Sequence, residues 1–363
     1  MANVGQSVKL LKKVTQFASI RFKSTHSVKL IYSEYGDPSK VVYLEKEILE
    51  SPGPGKVLVK MLASPVNPAD INTLQGIYPV KPPLPTTPGG EGVGQVEEVG
   101  EGVKNLKPGD MVLPRDRTLG TWRSHMLCPS SQLSKIQSGV DVIAAATLSV
   151  NPCTAYRMLK DFVQLKEGDV IIQNGANSSC GQSVIQFCKN WGIISVNVVR
   201  NRTEIDALKS ELKSMGADYV LTEEEVGTTQ LFKNGLKKPK LALNCVGGKN
   251  ATEMIRHLGK RGVMVTYGGM SREPVIVPTS NFIFKDITLK GFWMTRWSEE
   301  NAGSSDQTVM LSDIATMSKT GKWQPPPYEL VSLDNYKDVL NKAMHISGKT
   351  GRKFIFDLKN LGE

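Results

Sequence analysis

Residues 170–189 constrain what this chain can fold into more than any other stretch. An apolar run, Val170-Ile-Ile-Gln, leads into Asn174-Gly-Ala-Asn-Ser-Ser-Cys-Gly181, and Gln182-Ser-Val-Ile-Gln-Phe-Cys-Lys follows with helical apolar spacing. Strand, small-residue turn and helix, in that order, open a dinucleotide-binding βαβ unit, where backbone N–H groups and a helix N-terminus approach a pyrophosphate. Asn177, Ser178, Ser179 and Cys180 fill the turn, so hydroxyls stand beside backbone N–H groups where glycines are more usual. Cys180 has no basic neighbour in sequence to activate its thiol and suits a small filler. The next strand, Ser195-Val-Asn-Val-Val, ends in Arg200-Asn201-Arg202, where an NAD-binding unit would carry an acid for the ribose 2′-hydroxyl. A guanidinium pairs with a 2′-phosphate and a carboxylate repels it, so this register predicts NADPH. The competing reading of Arg200 and Arg202 is a solvated loop after a strand.

Helical and strand periods keep alternating beyond this unit. Helices are expected through Tyr156-Arg-Met-Leu and over residues 205–215. Strands are expected at Tyr219-Val-Leu, Leu241-Ala-Leu-Asn, Val263-Met-Val-Thr-Tyr and Ile287-Thr-Leu-Lys-Gly. The alternation predicts an α/β fold, a doubly wound parallel (Rossmann) sheet over residues 151–323. Residues 28–150 have another texture. Val41-Val-Tyr-Leu-Glu, Lys56-Val-Leu-Val-Lys-Met-Leu-Ala, Gly94-Gln-Val-Glu-Glu-Val-Gly and Asp110-Met-Val-Leu-Pro are short strands punctuated by Gly and Pro, the pattern of an irregular β domain. After Pro325-Pro-Pro327 a strand, a helix over 333–345 and the strand Lys353-Phe-Ile-Phe-Asp are expected to fold back on it, so that 28–150 and 324–363 form one domain.

Charge and cysteine usage narrow the setting. Lys9, Lys12, Lys13, Arg21 and Lys23 precede the first acid, Glu34, and account for half of the net charge of +10. Residues 1–27 combine these bases with Ser, Thr and short apolar clusters, the composition of an amphipathic mitochondrial presequence, with cleavage expected near Arg21-Phe-Lys-Ser24. The plain alternative is a basic tail with no address. Five scattered cysteines with no C-x-x-C pair argue against structural zinc and against a disulfide framework, and fit a reducing compartment. No apolar run approaches the roughly 20 residues that span a bilayer, so no membrane segment is expected. The basic residues lack the aromatic interleaving of a single-strand binder, so a regulatory or nucleic-acid-binding protein on this scaffold ranks low and no nucleic-acid partner is expected.

Several motifs then coincide. Pro88-Gly-Gly-Glu-Gly-Val-Gly94, Val99-Gly-Glu-Gly-Val, Lys107-Pro-Gly-Asp-Met-Val and Thr154-Ala-Tyr together resemble the medium-chain dehydrogenase/reductase superfamily, whose catalytic domain is GroES-like. Zinc-dependent members carry a histidine where Gly90 stands and paired cysteines where Val66-Asn-Pro-Ala-Asp70 stands, so the resemblance implies no metal. Gln75-Gly-Ile-Tyr78-Pro, Leu119-Gly-Thr-Trp-Arg, Val150-Asn-Pro-Cys-Thr-Ala-Tyr-Arg-Met-Leu, Leu243-Asn-Cys-Val-Gly-Gly-Lys and Val265-Thr-Tyr-Gly-Gly-Met resemble its zinc-free 2-enoyl-thioester reductases more narrowly.

This resemblance implies an NADPH-dependent enzyme of the mitochondrial matrix that reduces trans-2-enoyl thioesters, on acyl carrier protein or coenzyme A, in fatty acid synthesis. It also implies a homodimer joined through the edge of the cofactor sheet, with residues 282–291 as a plausible edge. Tyr78 is the implied acid. On sequence alone a tyrosine in a Gly/Pro-rich loop is packing or surface; in the family that position carries the proton-donating phenol, which would protonate the α-carbon or orient the enolate while water does so. Asn151 suits an Asx turn or helix cap before Pro152, and the resemblance places it at the nicotinamide end of the cofactor. Tyr267, Gly268, Gly269 and Met270, and likewise Phe292, Trp293, Met294 and Thr295, follow expected parallel strands at the ligand-binding edge. Core or dimer contact is the plain reading of both groups. Phe292 and Trp293 also suit an apolar acyl pocket. Lys353 is a surface lysine by default and a cofactor contact by resemblance. The alternative substrate class is a quinone or enone, reduced with the same cofactor and without zinc.

Overall fold

The computed structural model describes residues 24–345 and 352–361, so the basic segment to residue 23, with most of the expected presequence, lies outside the described residues. The chain is in a strand from Thr25 onward, ahead of the expected start at residue 28. This strand, β1 (Thr25–Tyr32), pairs antiparallel with β2 (Val42–Leu49). A larger antiparallel system follows, made of β3 (Lys56–Pro65), β4 (Val93–Val99), β5 (Met111–Pro114), β6 (His125–Pro129) and β7 (Leu133–Lys135). The parallel sheet comprises β8 (Val170–Asn174), β9 (Ile194–Val199), β10 (Tyr219–Thr222), β11 (Leu241–Asn244), β12 (Val263–Thr266) and β13 (Thr288–Gly291). Finally β14 (Tyr328–Ser332) and β15 (Lys353–Asp357) return to the sheet of β3, β15 lying antiparallel to β3.

The parallel sheet has the order β10-β9-β8-β11-β12-β13, so strand order reverses between β8 and β11. All residues of β8 and β11 are buried, as a central parallel strand covered by helices on both faces requires. A ligand crevice forms at such a switch point, beyond the carboxyl ends of the strands. Here two buried asparagines mark it. Asn174 Nδ2, at the end of β8, donates to Asn244 Oδ1 at the end of β11 (2.8 Å), and the Cys245 N–H donates to Asn174 Oδ1 (2.8 Å). Their amides take up backbone groups that the diverging strands leave unpaired.

Helix ends are set locally. The helix Ser179–Trp191 begins because the Ser178 side chain accepts from the Gly181 N–H (3.1 Å), and it ends at Gly192 in the left-handed region (φ 67°). A short helix, Pro68–Leu74, was invisible to strand patterning, yet its start is chemically explicit: Asp70 reaches back to accept from the Asn67 N–H (2.9 Å), with Pro68 in the first turn. That arrangement leaves the Asn67 side chain free to face elsewhere.

The smaller core, under the antiparallel system, joins the two ends of the chain. Phe356 of β15 is fully buried and lies edge-on to the fully buried Trp122, with ring centroids 5.3 Å apart at 72°. Phe356→Ala is expected to cost about 3–5 kcal/mol, through lost burial and the cavity left behind. Urea unfolding followed by Trp fluorescence measures it; a loss below about 1 kcal/mol would show that β15 contributes little to this core.

Candidate active site between the two sheets

A cavity of about 580 Å³ opens between the sheets, within the range of cofactor sites. At one end stand Asn177, Ser178 and Ser179 from the turn after β8, with Arg200 and Arg202 from the end of β9. Asn151 and Lys353 line the opposite wall, together with Asn67 and the segment that follows it. Met270 lines it from the loop after β12. Sequence reasoning missed Arg272, which brings a further guanidinium to the cavity from a left-handed backbone position (φ 60°). It also missed Glu223, an acid that the register after β9 could not reveal because it enters from the end of β10.

The wall opposite the turn is a buried polar network. The Lys353 ammonium donates to Asn67 Oδ1 (2.6 Å), and Asn151 Nδ2 donates to the same oxygen (3.2 Å). Asn67 Nδ2 donates to Glu91 Oε2 (2.9 Å), whose other oxygen accepts from the Val150 N–H (2.8 Å). Asn151 thus takes neither cap nor Asx-turn role: it is the first residue of the helix Asn151–Asp161, and its amide faces Asn67. Burial pushes Lys353 below its ordinary range, against the pull of Glu91 and Asp70. The same burial pushes the Glu91 carboxyl up, with Lys353 opposing. Nothing in the pattern of Gly90-Glu-Gly92 marks Glu91 as the buried counter-charge of a lysine so far along the chain, although an acid among packed glycines was the available signal.

Tyr78 stands beside the cavity rather than in its lining. Its hydroxyl accepts from Trp293 Nε1 (2.7 Å) and from Arg117 Nη1 (3.4 Å). The Tyr78 and Trp293 rings meet edge-on at 6.0 Å, and the Arg117 guanidinium lies over the Tyr78 ring at 4.8 Å. The phenol therefore joins the antiparallel lobe to the segment just after β13, and its backbone N–H donates to the carbonyl of Asn72, which lines the cavity. Arg117 continues to Thr295 Oγ1 (3.3 Å) and to Asp70 Oδ1 (3.5 Å). Burial pushes the Asp70 carboxyl up, while Arg117 and the N–H groups of Asn67 and Gly90 pull it down.

The other expected cofactor residues stand outside the lining. Asn201 folds back to accept from the Arg202 N–H (2.9 Å), so it shapes the arginine loop instead of presenting its amide. Cys180 is buried in the core beneath the turn. The Tyr267 hydroxyl is also buried and faces the thiols of Cys180 and Cys245, and burial pushes all three groups up, away from ionisation. These residues form the floor of the site. Gly268 packs directly on Cys245, where a Cβ would come within 3.1 Å of its side chain, while Gly269 meets nothing within 4 Å. Met294 is buried in the main core, and Phe292 stacks edge-on against Phe162 at 5.8 Å. Trp293 and Thr295 act on Tyr78 and Arg117 as described.

The turn fits a dinucleotide. Gly175 adopts φ 58°, and a Cβ there would lie 2.5 Å from Cys245 Sγ, so only glycine lets the chain pass between strand end and helix. Ser178, Ser179 and the helix N-terminus then line the cavity together with Arg200 and Arg202, a donor set suited to phosphates. Among the described residues no group of three or more His, Cys, Asp or Glu side chains converges as metal ligands would.

The alcohol dehydrogenase GroES-like domain family matches residues 53–139, and the zinc-binding dehydrogenase family matches residues 180–307. The mitochondrial enoyl-acyl-carrier-protein reductase of Xenopus tropicalis is 46% identical over 327 residues, covering 89% of this chain and 93% of its own. A mutant form of enoyl thioester reductase from Candida tropicalis superposes with a TM-score of 0.85 at 34% identity, covering 92% of this chain and 99% of that one. The Etr1p complex with NADP and crotonyl-CoA gives the same score, identity and coverage. With this identity sustained over nearly the whole length of both chains, the protein belongs to the mitochondrial enoyl-acyl-carrier-protein reductase family.

Proposed function

We propose that this protein uses NADPH to reduce a trans-2-enoyl thioester to the saturated acyl thioester. The observation that carries this reading is the Tyr78 hydroxyl, contributed by one lobe and held at 2.7 Å by Trp293 of the other, beside a cavity that ends in paired arginines. NADPH, when bound, supplies the hydride for the β-carbon. Arg200 and Arg202 hold its 2′-phosphate, and the turn with Ser178 and Ser179 receives the pyrophosphate. Asn151 and Lys353 stand at the nicotinamide end, prealigned by Asn67 and Glu91. Reduction at the β-carbon leaves an enolate. The Tyr78 hydroxyl hydrogen-bonds its oxygen and returns a proton to the α-carbon, a role that needs no metal. Trp293, whose ring meets Tyr78 edge-on, gives the acyl chain an apolar surface beside the phenol, with Phe292 packed behind it on Phe162.

Finer points follow from the same family membership. Relatives named for an acyl carrier protein and a neighbour bound to crotonyl-CoA favour an acyl thioester carried on either phosphopantetheine donor, in mitochondria. A second copy of the chain is the proposed partner. The edge strand β13 is exposed at all four residues, and Phe282, Ile283 and Phe284 beside it are 54, 62 and 78% exposed, an apolar edge suited to pairing.

NADPH oxidation with trans-2-enoyl-CoA substrates of several lengths tests the main reading, with NADH and a quinone as controls. Tyr78→Phe is expected to lower enoyl-thioester turnover by about 100-fold or more, with NADPH affinity within about twofold. Quinone turnover that matches or exceeds enoyl turnover, and that is equal in both forms, would replace the reading with a quinone or enone reductase. Arg200→Ala/Arg202→Ala is expected to raise the KM for NADPH about 10- to 100-fold and to leave that for NADH unchanged. An equal rise for both cofactors would remove these arginines from 2′-phosphate recognition.

A further inference from the structure

Arg117 is not among the expected site residues, yet its guanidinium touches both the ring and the hydroxyl of Tyr78. Its guanidinium lies over the Tyr78 ring at 4.8 Å while Nη1 donates to the Tyr78 hydroxyl at 3.4 Å. The same Nη1 reaches Thr295 Oγ1 of the opposite lobe at 3.3 Å, and Nη2 meets Asp70 Oδ1 at 3.5 Å. Asp70 is itself immobilised, its side chain 3% exposed and its carboxylate accepting from the Asn67 and Gly90 N–H groups at 2.9 and 3.0 Å. Gly90 makes the room for this arrangement. A Cβ there would stand 3.0 Å from Arg117 Nη2 and 3.2 Å from Asp70 Oδ1, too close for the pair to keep its geometry. A rigid carboxylate thus fixes a planar cation, and the cation fixes the phenol in both ring and hydroxyl.

We propose that Arg117 is the positioning residue for Tyr78, holding the phenol against the cofactor lobe and stabilising the phenolate left when its proton has gone. The proposal rests on the reading of Tyr78 as the acid. In that step the phenol O–H bond breaks and a C–H bond forms at the α-carbon of the enolate; the electron pair stays on the phenolate oxygen until a proton from solvent restores it. A cation on the ring face and at the oxygen favours the charged partner of that exchange. Lysine cannot replace it fully, because a single ammonium cannot cover the ring face and serve the Tyr78, Thr295 and Asp70 oxygens together.

The test compares Arg117→Ala, Arg117→Lys, Tyr78→Phe and Arg117→Ala/Tyr78→Phe. Arg117→Ala is expected to lower kcat for a trans-2-enoyl-CoA about 10- to 100-fold, to raise the solvent deuterium isotope effect on kcat, and to leave KM values within about threefold. Arg117→Lys should fall between Arg117→Ala and wild type, and the double variant should be no slower than Tyr78→Phe, since both changes act on one proton transfer. NADPH fluorescence titration shows that each variant retains a folded cofactor site. A readout independent of turnover is 19F NMR of protein labelled with 3-fluorotyrosine. The resonance that Tyr78→Phe deletes should shift in Arg117→Ala and shift less in Arg117→Lys. If Tyr78→Phe reduces enoyl thioesters at the wild-type rate, the acid assignment falls and this proposal with it. If Tyr78→Phe is slow while Arg117→Ala keeps wild-type kcat, isotope effect and fluorine shift, only the role of Arg117 is overturned. A double variant whose losses multiply overturns it as well.

Discussion

Lys353 has lost nearly all contact with water, at 7% exposure, and its ammonium is held by one amide oxygen, that of Asn67, with the Glu91 carboxylate one hydrogen bond further on. Removing such ions from water costs several kcal/mol each, and only good geometry and mutual attraction offset it. The geometry comes from four separate stretches of chain: β15, the start of the helix Pro68–Leu74, the glycine-rich loop before β4 and the junction at Val150. Each stretch is fixed by satisfying a polar group of another. Loss of any one partner would strand a buried charge, which makes the network a strong determinant of how the two lobes meet.

The shape of the site follows from that junction. Asn67 can serve Lys353, Asn151 and Glu91 because Asp70 has taken over the backbone end of its helix, and Asp70 in turn anchors Arg117. The cap and the first turn of one short helix, Asn67 and Asp70, therefore organise two different walls. Asn67 faces the cofactor side of the cavity, and Asp70 faces the phenol through a guanidinium. The parallel sheet makes an independent contribution, a crevice held by the Asn174 and Asn244 amides, with a turn that only glycine at 175 can make.

Local pattern was enough to expose the parallel sheet, because its central strands are short apolar runs and Ser178 and Thr222 cap two of its helices. β8, β11 and the helix Ile205–Met215 lie where apolar spacing and Gly216 put them. β1 was missed because it follows directly on a basic segment and alternates weakly, burying its residues unevenly. β6 pairs with β3 far back along the chain and β7 has only three residues, so pairing rather than propensity defines them. The site divides along the same line. Asn177, Ser178, Ser179, Arg200 and Arg202 were legible, since they follow strand ends in register. Glu91, Asp70 and Arg117 were not, because each acquires its meaning from a residue that sequence distance conceals. Cys180, Tyr267 and Met294 were placed at the right strand ends but face inward, and register alone does not fix on which side of a loop a side chain falls.

The location of β15 has a consequence for biogenesis. Domains of a growing polypeptide fold as they emerge, earliest segments first. Here the wall that carries Lys353 is supplied by β15, which follows the whole parallel sheet in sequence yet is inserted between β14 and β3, a strand that precedes that sheet. The parallel sheet can form from residues 170–291 alone, but the pocket stays unfinished until β15 docks beside β3. Completion of the site thus waits on contact between distant stretches of chain, since Lys353 meets Asn67 only when β15 is in place.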